Sequence, residues 1–243
     1  MSDRLSETIF TKLQKAIIVG DMPAGSRFPA ERDLAEEFGV SRSTVREAVG
    51  RLAKSGLVET RPQSGTYVSD YQAKASLDVL IDIMQNGGEV DSDTLRALME
   101  TRLLIELHAV KMAVAAFTPD DERELRDIIG IEERSLSDPA AMAECDYRLH
   151  ALIMKRSGNI IIQLVFNSFR PVYRFYTDFF FNLPEAIRIT MEQHRRFVDA
   201  ACRKDAHQAE RIMREALEYG QARVVDALGI GIENRKIRLV SNI

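Results

Sequence analysis

Apolar positions recur with a helical period from the start of this chain. Leu5, Ile9, Leu13, Ala16 and Ile17 fall on one face of a helix over residues 3–19, which Gly20 closes. A loop around Met22-Pro23-Ala24-Gly25 follows. Pro29 stands at the first turn of a second helix, where its missing N–H costs nothing. Leu34, Ala35 and Phe38 form that helix's apolar stripe, and Gly39 ends it. Ser41 is an N-cap residue for a third helix with Val45, Ala48, Val49 and Leu52 inward, ending at Gly56. The pattern then switches to two short strands, Leu57–Thr60 and Thr66–Val68, around a turn holding Gln63-Ser64-Gly65. Residues 69–76 are polar and unpatterned.

Beyond that stretch every periodic segment is helical. A short helix is predicted over Leu77–Met84 and a long one over Thr94–Phe117. Thr118-Pro119 and Asp138-Pro139 cap the next two, ending near Ser135 and Gly158. A single helix from Asn159 runs through the aromatic stretch Phe166–Phe181. Pro184 opens another to Lys204, and Asp205 caps the last, to about Leu228. No strand signal appears in this half, and the tail 229–243 carries no clear pattern. The predicted fold class is mainly α. An N-terminal winged helix-turn-helix with a small β-hairpin precedes an all-α bundle of six or seven helices. The predicted domains are residues 1–70, a linker at 71–76, the helical domain at 77–228 and the tail.

Charge adds to this picture. The whole chain is mildly acidic, with formal net charge −4. The acid is concentrated in the second half: up to residue 75, 11 basic residues face 10 acidic ones, whereas beyond it 22 face 27. Residues 41–66 carry five basic side chains (Arg42, Arg46, Arg51, Lys54, Arg61) against two acidic (Glu47, Glu59). A local basic patch suffices to hold phosphate, because screening confines the interaction to roughly 10 Å. The acidic total argues against a histone-like, sequence-blind binder. Cys145 and Cys202 lack metal-type spacing and read as ordinary thiols of a reducing compartment. The sequence shows neither a signal peptide nor an apolar run of membrane-spanning length, so a cytoplasmic, membrane-free protein is expected.

The segment PAERDLAEEFGVSRSTVREAVGRLAKSGLVETRPQSGTYV is the most specific motif. Its third helix opens with Ser41, Arg42, Ser43 and Thr44, then Arg46. Arginine bonds guanine O6 and N7 bidentately, while hydroxyls and a helix N-terminus suit phosphates. A solvated helix face is the alternative for such a segment alone. Over residues 5–68 the block closely resembles the N-terminal domain of GntR-type bacterial transcription regulators. That resemblance implies DNA contacts by Arg32, Arg42, Ser43, Thr44 and Arg46, and by Gln63, Ser64, Gly65 and Thr66 at the wing.

In the helical half, Asp146 and His150 stand i,i+4 on one helix, beside the apolar stripe Met142, Cys145, Leu149, Leu152. His194 falls on the inward stripe Ile187, Met191, Val198, Ala201. A carboxylate and two imidazoles converging inside a bundle suit a divalent transition metal such as Zn, Ni or Mn. A core histidine bonded to a neighbour is the alternative for His194. Arg102 faces inward with Leu95, Met99, Glu106, Ala109 and Ala113. Its anion is either Glu106 or the carboxylate of an effector.

LMETRLLIELHAVKMAV, DYRLH and EQHRRFVDAACRKDAHQAERIMREAL resemble the ligand-binding (FCD-type) domain of the FadR subgroup of that family, across most of residues 77–228. The resemblance implies a metal site of one Asp and three His. Ala216 stands where the third His would fall, so that site is incomplete here. The aromatic stretch, whose spacing by itself reads as core, resembles the acyl-responsive members, including Asn167 and Tyr173. These members dispense with metal. Arg102, Asn167 and Tyr173 are therefore the candidate effector residues, and the effector is a small carboxylate or an acyl thioester.

Together these features predict a ligand-responsive regulator, a repressor in the commoner case, binding double-stranded DNA at a palindromic operator as a homodimer. No enzymatic role is expected. The rival readings are a metal-dependent hydrolase using Asp146, His150 and His194, and an architectural DNA-binding protein without effector. The first lacks an activated nucleophile beside those residues, and the second leaves a large helical domain unexplained.

Overall fold

The computed structural model describes residues 2–75, 79, 81, 89–229 and 236–238. The chain divides into two compact units near residue 89. The first unit comprises α1 (Ser2–Ile18), α2 (Glu31–Phe38), α3 (Arg42–Lys54), β1 (Val58–Arg61), β2 (Gly65–Val68) and the single turn α4 (Tyr71–Lys74). α1 packs on α3 and buries Ile9, Phe10, Leu13 and Ile17. Leu5, expected on that face, is 47% exposed, because Ser6 and Gln14 take the buried positions flanking the stripe.

α2 stops at Gly39, whose left-handed φ of 64° lets its N–H return to the last turn. Ser41 then caps α3 by accepting the Thr44 N–H at 3.3 Å. Val45, Ala48, Val49 and Leu52 are all buried, as the periodicity requires. Gly56 makes the turn into β1 at φ 77°. A Cβ there would lie 2.7 Å from the Lys74 carbonyl oxygen, so both conformation and space demand glycine. β1 and β2 pair antiparallel, with Val58 opposite Val68 and Arg61 opposite Gly65. The polar stretch expected to be linker contains α4, bonded from Ala73 and Lys74 back to Asp70. The helix expected over Leu77–Met84 lies outside the described residues except for Val79 and Ile81, which are helical.

The second unit is a bundle of seven described helices: α5 (Ser92–Ala116), α6 (Pro119–Glu132), α7 (Pro139–Arg156), α8 (Ile160–Ser168), α9 (Arg170–Phe180), α10 (Ala186–Cys202) and α11 (Ala206–Leu228). Their starts follow the predicted caps. Thr118 and Asp121 form a reciprocal capping box, Asp138 accepts from Ala140 and Ala141, Asn159 from Ile161 and Ile162, and Asp205 from Gln208. α5 packs against α7 and α11, and α10 against α6 and α11. The core between them includes Val110, Val114, Leu125, Ile128, Leu149, Ile153, Phe197 and Ile212. Both cysteines are free thiols. Cys145 is buried, and burial pushes its thiol up to about 11.

Three expectations are corrected here. The aromatic helix is not continuous. It breaks at Phe169, and α9 restarts with Pro171 in its first turn, where a missing N–H is tolerated. Pro184 does not open a helix, because Glu185 takes a left-handed φ of 66° and α10 begins at Ala186. The helical half also contributes strand: Glu89–Asp91 (β3) and Lys236–Arg238 (β4) form a second two-stranded sheet. Among the described residues no helix is long and apolar enough to cross a membrane.

Candidate DNA-reading and effector sites

On α3 the buried stripe leaves Arg42, Ser43 and Arg46 on the exposed side. Arg46 is held by Glu31 at the start of α2, Nε to Oε2 3.1 Å. Thr44 lies elsewhere. It is buried, and its hydroxyl sits 2.8 Å from Ser41 Oγ, so it finishes the helix cap. Arg32 is exposed beside Asp33. At the wing Gln63 and Ser64 are exposed, and Gly65 and Thr66 partly so. Gln63 has φ 62° and Gly65 φ 118°, which gives the hairpin its tight tip. Sequence reasoning passed over Arg27. It bridges to Tyr67, and its guanidinium lies 3.4 Å from where a Gly65 Cβ would be. Arg61 stacks over Tyr67 at 4.5 Å. The wing therefore carries two cations beside its tip.

In the helical unit Asp146, His150 and His194 are all buried, and one ligand atom from each lies within 4.8 Å of the others. α7 supplies the first two from adjacent turns of one face. α10 supplies the third from the stripe that also buries Val198 and Ala201. Asp146 Oδ1 lies 3.8 Å from His150 Nε2 and 3.4 Å from His194 Nε2. Both Nε2 atoms face it because each Nδ1 is engaged by a carboxylate behind the ring. His194 Nδ1 is 2.7 Å from Glu132 Oε1, and His150 Nδ1 bonds Glu106 Oε2. A carboxylate at Nδ1 fixes ring orientation and raises the basicity of Nε2, the usual support for a metal-bound histidine. The donor set therefore fits a divalent transition metal.

The charges reinforce one another. Burial opposes ionisation of Asp146, but His150, His194 and Arg102 outweigh it and hold the carboxyl well below its usual range. Burial likewise opposes the His194 imidazolium, yet Glu132 and Asp146 push it up to about 10. Glu132 was not singled out from the sequence. The signal was present: it continues the stripe Leu125, Ile128, Ile129 by one turn, and a glutamate in a buried stripe needs a partner.

Arg102 and Glu106 pair at 2.6 Å, Nε to Oε1. The guanidinium also donates to the Tyr173 hydroxyl at 3.2 Å and lies over the rings of Tyr173 (4.5 Å) and Tyr176 (5.0 Å). Burial disfavours its charge, and Glu106 more than restores it. Arg102 stands between two spaces. One is an apolar cavity of about 600 Å³, open in part to solvent, walled by Leu95, Met99, Ile105, Phe166, Phe169 and Val172. The other is a polar recess of about 320 Å³ that holds Asp146, His150 and His194, with Thr190, Gln193 and Ala216 also in its wall. Gln193 Oε1 is buried there without a hydrogen-bond partner. Tyr173 lines the apolar cavity. Asn167 lines neither space. It is exposed on α8, whose inward residue is Phe166.

A winged helix-turn-helix followed by a helical domain with a polar recess is the arrangement of a class of DNA-binding transcription regulators. The family described as bacterial regulatory proteins, gntR family, matches residues 5–68, and the FCD domain matches residues 97–219. This chain belongs to the GntR family of transcription regulators, in the branch that carries an FCD domain. It is 29% identical over 225 residues to the HTH-type transcriptional regulator Mce2R of Mycobacterium tuberculosis (strain CDC 1551 / Oshkosh), covering 91% of this chain and 92% of that protein. It is 27% identical over 200 residues to the fatty acid metabolism regulator protein of Edwardsiella ictaluri (strain 93-146), covering 82% and 80%. Among solved structures, Lar, which controls the expression of the Listeria monocytogenes agr system, shares the fold. Its TM-score is 0.56 at 17% identity, over 93% of this chain and 97% of that one.

Proposed function

We propose that this chain is a repressor that binds a palindromic operator as a homodimer and releases it when a small carboxylate or acyl metabolite enters the helical domain. α3 lies in the major groove, with Arg42 and Arg46 toward bases and Ser43 toward phosphate. Arg32 and the wing tip, Gln63 to Thr66, add contacts beside it. The observation that carries this reading is the exposed Arg42–Ser43–Arg46 face on a helix whose opposite side is fully committed to the core.

The effector end rests on Arg102 standing at the junction of a polar recess and an apolar cavity, which suits a ligand with an acidic head and an apolar body. Asp146, His150 and His194 would hold a Zn, Ni or Mn ion. When bound, that ion supplies a Lewis-acidic anchor for a carboxylate oxygen. Tyr173 and Arg102 bond each other beside Asp146 and would meet the acidic head of the effector, and Asn167, exposed on α8, is assigned no contact. The effector switches the protein only through different affinities for the DNA-bound and free states.

Native mass spectrometry of the protein as purified from cells, joined to selection of bound DNA from a random pool, tests the whole reading. The expected result is a dimer, a retained metal or acidic small molecule, and a two-fold symmetric consensus. A monomer that enriches no sequence would overturn it.

A further inference from the structure

Each of the three candidate ligands has an outer partner, and the third of these partners is a tyrosine. Glu106 stands behind His150 and Glu132 behind His194. Tyr173 on α9 donates its hydroxyl to Asp146 Oδ2. The two oxygens of Asp146 are thereby given different work. Oδ2 is taken by Tyr173, while Oδ1 faces both histidine Nε2 atoms at 3.4 and 3.8 Å.

The hydroxyl is itself fixed from two sides. It accepts from Arg102 Nη2 at 3.2 Å, and its ring is clamped edge-on by Phe166 (centroids 5.4 Å apart) and Tyr147 (5.6 Å). Tyr173 is 5% exposed, and its hydroxyl is engaged by Asp146 on one side and Arg102 on the other. A buried donor committed to one carboxylate oxygen leaves the aspartate a single free oxygen and a single orientation.

We propose that Tyr173 is a positioning residue for the metal site: it holds Asp146 so that one oxygen alone is presented to the ion, alongside His150 and His194. The inference rests on the metal reading above. It also gives the ring a second consequence. Tyr173 forms part of the wall of the apolar cavity, so whatever displaces that ring also releases Asp146.

The test uses the full-length protein, stripped of metal and titrated with Co(II), whose visible d–d bands report coordination number as well as affinity. Tyr173→Phe keeps the ring and removes only the hydroxyl. It is expected to weaken Co(II) binding about tenfold or more, with weaker bands as Asp146 turns to offer both oxygens. Tyr147→Phe makes the same change in the neighbouring ring and is expected to match wild type. Tyr173→Phe protein that binds Co(II) as tightly as wild type with the same spectrum overturns the proposal. An equal loss in Tyr147→Phe also overturns it, since the effect would then be packing. Wild-type protein that takes up no Co(II) fails earlier, at the metal reading itself, and is told apart by that.

Discussion

The Nδ1 of His194 lies 2.7 Å from Oε1 of Glu132, and this contact decides which nitrogen of the ring faces Asp146. Glu132 is fully buried and its second oxygen has no hydrogen-bond partner, so its charge is spent on the imidazole. The protein thus orients one donor of the candidate metal site from a residue 62 positions away in sequence.

Removing that support has a measurable effect on metal uptake. Glu132→Gln should lower Zn(II) affinity by roughly 10–100-fold, the usual consequence of losing a ligand's outer partner. His194→Ala should abolish it. In the metal-free protein His194 is pushed up to about 10, so at neutral pH the ion must displace a proton. Affinity should therefore climb as pH rises toward that value. Calorimetric titration in two buffers of different ionisation enthalpy reads the released proton. Equal heats in both would contradict it.

The recognition helix makes a separate prediction. Arg46→Ala and Arg42→Ala should each cost about 1–3 kcal/mol of discrimination if the side chain reads a base. A phosphate contact would weaken all sequences alike and lower the salt slope by about one. Ser41→Ala should destabilise the first unit by roughly 0.5–2 kcal/mol, because Ser41 caps α3 and also holds the Thr44 hydroxyl. Affinities for a selected operator and a scrambled one, over a salt series, separate these cases.

How far the site was legible in the sequence depends on how local each cause is. The i,i+4 spacing of Asp146 and His150 is a property of one helix, and the inward stripe of His194 a property of another. Their convergence could be anticipated because both stripes point to one core. The DNA-reading unit was legible for a similar reason: its caps and glycines sit within a few residues of what they terminate. The bond from Glu132 to His194, and the bond from Tyr173 to Asp146, were not legible. They join α6 to α10 and α9 to α7, and no periodicity within one helix encodes a partner on another. The break at Phe169 was hidden by the strong aromatic stripe, which continues across it in register while the backbone does not. Asn167 illustrates the converse. It was a candidate through the family resemblance alone, and a one-residue step from the inward Phe166 rotates a helical side chain by about 100°, so it faces solvent.

Acid should loosen the start of α6. Asp121 is buried and closes the capping box, accepting from the Thr118 N–H at 2.7 Å and from Arg156 Nε. Burial opposes its charge, but Thr118 and Arg156 outweigh that and hold it below its usual range. A carboxyl with a depressed folded pKa contributes stability that is complete above its unfolded value, ~4, and is lost as pH falls through the folded value. Asp121→Asn should therefore be less stable than wild type by about 1 kcal/mol near neutrality, with the gap narrowing in acid. Urea midpoints of the two proteins across that range provide the check. A gap that widens on acidification would reverse the sign and refute the assignment.

The position of Ala216 allows the strongest single test of the candidate metal site. Ala216 lies on α11 in the wall of the recess that holds Asp146, His150 and His194, and Gly220, one turn on, has no side chain to obstruct it. A Cβ at Gly220 would lie 2.4 Å from the Tyr176 hydroxyl, so that ring already fills the far side of the recess. Ala216→His should place a third imidazole beside the existing ligands. Zn(II) binding should then tighten by tenfold or more, since each 1.4 kcal/mol of added ligation is a factor of ten in affinity. The same change should narrow the room left for an effector, because it fills the one wall that offers no donor. Metal affinity should rise while the response of DNA binding to an acidic effector falls. If neither wild type nor Ala216→His protein takes up Zn(II) while the fold is intact by circular dichroism, the recess is not a metal site. His194 would then serve as a core ion pair with Glu132.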